Sequence, residues 1–185
     1  MPALQWTDET ETATSSSFRR CPLETGLRRV APSLSRAVTE TAEAFFGFKA
    51  IQGIPWEAPR IPDNRALYCS QENIGEKYEF LLNLTTDKID YDRLFAEEVG
   101  DQIRMDAYCE LANCICGAVL ADPAFSDEFG YLIPCVPCNG ASRPDGEARS
   151  ERGSMIVGGA WIHFSFSVQE CASMRAVTEQ LSAAA

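Results

Sequence analysis

Only one histidine, His163, occurs in the 185-residue chain. Without a second, neither a histidine-based metal site nor a Ser/His hydrolase has its parts. No apolar run approaches the ~20 residues that cross a bilayer. The N-terminus lacks a basic segment leading into an apolar one, so no secretion signal and a cytoplasmic protein are expected. Positive charge is scarce as well: 16 Lys and Arg against 27 Asp and Glu leave a net charge of −11. Such a chain repels nucleic-acid phosphates and anionic lipid, and suits a soluble protein or one that docks a basic or metal-bearing partner. No glycine-rich phosphate loop of the P-loop or dinucleotide-binding type is present.

What is present is an ordinary globular composition, 45% hydrophobic and 23% charged. The length suffices for one core without metal or disulfide support. Residues 1–22 are polar, rich in Thr and Ser, and read as a flexible tail; residues 23–185 read as a single domain. The eight cysteines, in a reducing compartment, are expected to be free thiols packed as small hydrophobes.

Pro32 occupies what looks like a first helical position and Gly47 a stop, with Leu34, Ala37, Val38, Thr41, Ala42, Phe45 and Phe46 at helical spacing between them. Ile51 to Asp63 reads as a connecting loop. Two strands are expected over Ala66–Gln71 and Glu76–Leu84, turning at Asn73-Ile74-Gly75, then a short helix over Asp87–Val99 broken by Gly100. Asp101 offers an N-cap for a long helix ended by Asp122-Pro123. A strand near Tyr131–Val136, a loop over Asn139–Arg152 and a hairpin turning on Gly158-Gly159 follow, then a short C-terminal helix. In the last strand Ile162, Phe164, Phe166 and Val168 alternate with Trp161, His163, Ser165 and Ser167, the pattern of a sheet buried on one face. The expected fold class is α+β, an antiparallel sheet with helices packed on it.

Cys135-Val136-Pro137-Cys138 is a C-x-x-C, and Cys114 and Cys116 form a C-x-C. A four-thiolate zinc site from these is disfavoured, because two residues apart on a helix point ~160° from one another. A redox pair of the thioredoxin kind needs a helix start, whereas an apolar strand-like run precedes Cys135. Ordinary thiols are expected, with no metal bound, and His163 is expected to be a surface or interface residue.

At ~100° per residue the long helix separates two faces. Tyr108, Leu111, Ala112, Ile115, Ala118 and Val119 form a core stripe, and Asp106, Glu110, Asn113 and Gly117 lie opposite. Glu110 and Asn113, three residues apart, are neighbours on that face. A helix-interior glycine costs ~1 kcal/mol relative to Ala, so Gly117 invites the idea that another molecule approaches there. By spacing alone, a solvated face with an incidental glycine is the simpler account.

The run Asp106-Ala107-Tyr108-Cys109-Glu110-Leu111-Ala112-Asn113-Cys114-Ile115-Cys116-Gly117 resembles the D-x-x-x-E-L-x-N-x-I-x-G helix of the CheX/CheC/FliY chemotaxis phosphatases. The order of elements over roughly residues 30–170 fits the same family. The resemblance implies a phosphatase for the aspartyl-phosphate of a CheY-like response regulator, acting in chemotaxis or two-component signalling. Asn113 would orient the attacking water and Glu110 would pair with the regulator's lysine, while Asp106 and Gly117 would belong to the partner-binding face. The protein would need no cofactor of its own, the Mg²⁺ being held by the partner receiver domain. CheC-type members carry a second E-x-x-N on the first helix, where this chain has Glu40-Thr41-Ala42-Glu43, so the resemblance is to the single-motif CheX type. A homodimer is expected, since an antiparallel sheet leaves edges that pair across a two-fold axis. The alternative is a catalytically silent CheX-like module that binds a receiver domain or another signalling protein.

Overall fold

The computed structural model describes residues 22–53, 61, 63–95, 99–144 and 148–172. The expected tail (apart from Pro22) lies outside the described residues, and so do residues 173–185, where the short C-terminal helix is expected.

Helix α1 runs over Pro22–Phe46. Its buried stripe of Leu27, Val30, Leu34, Val38 and Ala42 continues on both sides of Pro32. Pro32 is therefore interior and exposed rather than the first helical residue. A proline in a helix interior costs ~3 kcal/mol, but each fully buried Leu or Val beside it contributes about 1.5–3 kcal/mol. Packing thus outweighs the local rule. Gly47 ends the helix as expected, at φ +71°, where a side chain would be strained.

Among the described residues seven strands form one antiparallel sheet in the order β1-β6-β7-β3-β2-β4, with β5 also on β2. They are β1 (Ala50–Gly53), β2 (Ala66–Gly75), β3 (Tyr78–Asp87), β4 (Leu132–Pro134), β5 (Cys138–Asn139), β6 (Arg149–Val157) and β7 (Ala160–Glu170). The expected loop from Ile51 is in part the edge strand β1, whose Ile51 pairs with Ile156. The β2–β3 turn is Glu76-Lys77 rather than Asn73-Ile74-Gly75, since Asn73 pairs with Phe80 inside the ladder. Asn73, Ile74 and Gly75, which read as a turn, are strand residues of β2. The Gly158-Gly159 hairpin is as expected, with both glycines at positive φ. Only the middle of the expected Tyr131–Val136 strand is strand, as β4. Pro137 then leads into β5, so the C-x-x-C bridges two short strands.

On the inner face Ile162, Phe164, Phe166 and Val168 of β7 are buried beside Phe80, Leu82 and Leu84 of β3. Helices α1 and α3 (Asp101–Leu120) cover this face. Helix α2 (Lys88–Leu94) begins at Asp87, whose carboxylate accepts from the Ile89 N–H at 2.9 Å. Gly100, not Asp101, is the N-cap of α3. Asp122 caps a further helix that the periodicity did not reveal, α4 (Pro123–Phe129). Seven residues are too few to show a helical period, yet Phe125 and Phe129 are buried and Phe80 packs on Phe125 at 5.0 Å. Buried Arg104 ties α3 to α2, donating to Val99 O at 2.6 Å and reaching Asp92 at 3.2 Å. The architecture is α+β, an antiparallel sheet with helices packed on it.

Candidate functional site

Helix α3 buries Tyr108, Leu111, Ala112, Ile115 and Val119, as its periodicity predicts. Ala118, expected in the stripe, is only half-buried, and Cys116 is buried instead. The opposite face presents Asp106, Glu110 and Gly117 to solvent, with Asn113 half-buried between them. Asn113 Nδ2 donates to Glu110 Oε2 at 3.4 Å. The two side chains therefore stand together, as the three-residue spacing requires. Asp106 accepts from Gln102 Nε2 at 2.7 Å, one turn towards the N-terminus. Around Gly117 a Cβ would meet nothing within 4 Å, so within this chain the glycine makes room for no other group. On the Glu110 flank, the Cys114 thiol lies 3.7 Å from Glu110 Oε1. Burial, and then the Glu110 carboxylate, push that thiol above its ordinary range, which keeps it a neutral donor at pH 7.

Beneath this face lies a feature that sequence reasoning missed. The inward residues of β2 are Cys69, Gln71 and Asn73, all essentially inaccessible. Each meets one α3 residue. Cys69 Sγ is 3.5 Å from Cys109 Sγ, Gln71 Nε2 donates to Asn113 Oδ1 at 3.4 Å, and Asn73 Nδ2 donates to Cys116 Sγ at 3.5 Å. Alternate strand residues climb by about 6.6–6.8 Å and helix residues three or four apart by ~4.5–6 Å, so the two elements stay roughly in step over this short length. Across the sheet the partners of these three residues are Leu84, Leu82 and Phe80. The inner layer is apolar on β3 and turns polar on β2, directly below the E-L-A-N face. Alternation of C, Q and N with S, E and I was the only available signal, and it has no apolar phase to detect.

The ladder is costly in places. Gln71 Oε1 and Asn73 Oδ1 are buried with no hydrogen-bond partner among the described residues, and each such group costs about 1–3 kcal/mol. Burial, with the adjacent Cys109, pushes the Cys69 thiol well up, and burial pushes Cys116 to about 12. Both are held as neutral thiols.

The remaining candidates do not join this site. Cys114 faces Glu110 while Cys116 is buried against Asn73, so the C-x-C diverges as its spacing demands. Cys138 is exposed in β5. His163 is half-buried rather than on the surface, with Nδ1 2.9 Å from Ser154 Oγ and its ring stacked on Trp161. On α1, Glu43 stands where the two-motif pattern has asparagine. Its carboxylate accepts from the Ala50 N–H at 3.1 Å, fastening the start of β1.

Solved structures with a similar fold include the chemotaxis protein CheX from Desulfovibrio desulfuricans (16% identical, covering 76% of this chain and 99% of that one, TM-score 0.56). They include the CheX–CheY–BeF3–Mg²⁺ complex from Borrelia burgdorferi (12% identical, covering 77% of this chain and 98% of that one, TM-score 0.53). FliY from Thermotoga maritima is a third (13% identical, 85% of this chain and 94% of that one, TM-score 0.53). The chain has the fold of the CheX, CheC-like and FliY chemotaxis proteins. No sequence-family model matches it, and no curated protein matches it by sequence. No described helix is long and apolar enough to cross a membrane.

Proposed function

We propose that this protein is a CheX-like member of the CheX/CheC/FliY family, a cytoplasmic phosphatase acting on the aspartyl-phosphate of a CheY-like receiver domain. The observation that carries the reading is the pairing of Glu110 with Asn113, 3.4 Å apart on the open face of α3, in a fold shared with a CheX solved bound to CheY. Phosphoryl transfer asks mainly for positioning and charge stabilisation. Asn113 supplies a carboxamide, which holds a water through a donor and an acceptor at once. Glu110 supplies a carboxylate that anchors a lysine by a charge-assisted bond. Asp106, on the same exposed face, extends the acidic surface towards the partner, and Gly117 leaves space for it. The Mg²⁺ belongs to the receiver. Glu43, occupied with Ala50, supports a single working motif. Among the described residues the outermost strands are β1 on one side and β4 and β5 on the other, and a homodimer would pair at such an edge.

The test is phosphate release from a phosphorylated receiver of the source organism, wild type against Asn113→Ala. Release faster than the receiver's own decay, lost in the variant, is expected. Binding to the receiver without acceleration would replace the phosphatase by the silent docking module.

A further inference from the structure

Gln71 is buried on the central part of β2, beside Leu82 of β3, where an apolar side chain would fill the layer without cost. Its Oε1 has no partner among the described residues. Its Nε2 is directed at Asn113 Oδ1, 3.4 Å away. A buried amide half unsatisfied, with its satisfied end on an exposed functional face, calls for a reason other than stability. We infer that Gln71 is a positioning residue, which fixes the rotation of the Asn113 carboxamide and so sets which atoms Asn113 offers to the reacting water; this rests on the phosphatase reading above.

The hydrogen-bond inventory makes the inference specific. A carboxamide has two N–H donors and two oxygen lone pairs. Glu110 accepts one Asn113 N–H and Gln71 donates to one lone pair. One donor and one acceptor remain, which is the pair needed to grip a water and aim its lone pair. Turning the carboxamide over would set Asn113 Oδ1 against the Glu110 carboxylate and its N–H groups against the Gln71 amide donor. The first contact is repulsive in any case, and the second is repulsive while Gln71 keeps its own amide orientation. Two restraints from two different elements, one on α3 and one on β2, therefore select a single orientation. Removing Gln71 leaves only the Glu110 restraint, which is itself lost when Glu110 turns to a lysine of the partner. Gln71 is then the restraint that persists in the complex, as supporting residues behind a reacting group do elsewhere.

The experiment compares wild type, Gln71→Met, Asn113→Ala and the double variant on the full chain. Met keeps the length and removes the donor. With a phosphorylated receiver, kcat is expected to fall roughly tenfold or more in Gln71→Met with KM within about twofold, and Gln71→Met is expected to add nothing on an Asn113→Ala background. An unchanged kcat, or an equal loss on the Asn113→Ala background, overturns the inference. In parallel, the Asn113 side-chain amide is followed by two-dimensional ¹H–¹⁵N NMR without any receiver. Distinct, dispersed signals in wild type that move towards free-amide positions in Gln71→Met support the positioning role, and signals that stay put overturn it. If wild type releases no phosphate while the amide signals respond, the phosphatase reading falls and the positioning of Asn113 stands.

Discussion

Asn113 Nδ2 and Glu110 Oε2 lie 3.4 Å apart, one helical turn from each other, yet the two side chains differ in what holds them from below. Asn113 is reached by Gln71 from the sheet. Glu110 has only helix neighbours, Asn113 and Cys114, among the described residues that bond to it.

The difference predicts different kinetic defects. Under the proposed reaction, Asn113→Ala removes the group that orients water, so kcat falls by roughly 10² while receiver binding persists. Glu110→Ala removes an anchor, so the change appears mainly in KM. Steady-state phosphate release over a range of receiver concentrations separates the two. Equal effects on kcat from both variants would contradict the assigned roles.

Gly117 allows stability and docking to be pulled apart. Its surroundings are open and its backbone is helical, so Gly117→Ala should stabilise the fold by about 1 kcal/mol. For a chain of this size that is a rise in Tm of roughly 2–4 °C. Receiver binding, measured by calorimetry, should weaken in the same variant. A stabilised protein with unaltered binding would mean that no partner approaches Gly117.

His163 gives the fold a pH dependence of known sign. Burial lowers its pKa, with Asp90 opposing in part, so the folded protein prefers the neutral ring. Above the ordinary value of about 6.5 the ring is neutral folded and unfolded, and its contribution is fully present. As pH falls from there through the lowered folded value, the unfolded chain takes up the proton more readily, and stability is lost. Urea unfolding at pH 7.5 and pH 5 should show a smaller drop for His163→Gln than for wild type. Parallel drops would show that the titration lies elsewhere.

The thiols should separate by burial. Cys138 is exposed, whereas Cys69 and Cys116 are buried and their thiols are pushed up by that burial. Alkylation of the native protein at pH 8, mapped by mass spectrometry, should label Cys138 early and Cys69 and Cys116 only on unfolding. Early labelling at Cys69 would mean that α3 lifts from β2 in solution.

Local pattern was enough for the main helices, the terminal hairpin and the exposed pairing of Glu110 with Asn113. Those features repeat at 3.6 or 2 residues, or rest on Gly158-Gly159, and each signal is contained within one segment. Three matters needed the tertiary structure. Pro32 lies inside α1 because Leu27, Val30 and Leu34 bury on both sides of it, a gain that no local rule for proline contains. Helix α4 exists because Phe125 and Phe129 find the core, in a segment too short to show its own period. The polar floor of Cys69, Gln71 and Asn73 under α3 is a meeting of β2 with residues some 40 positions further along the chain. A polar residue facing inward looks the same in sequence as one facing water. Only its partner across that distance tells the two apart.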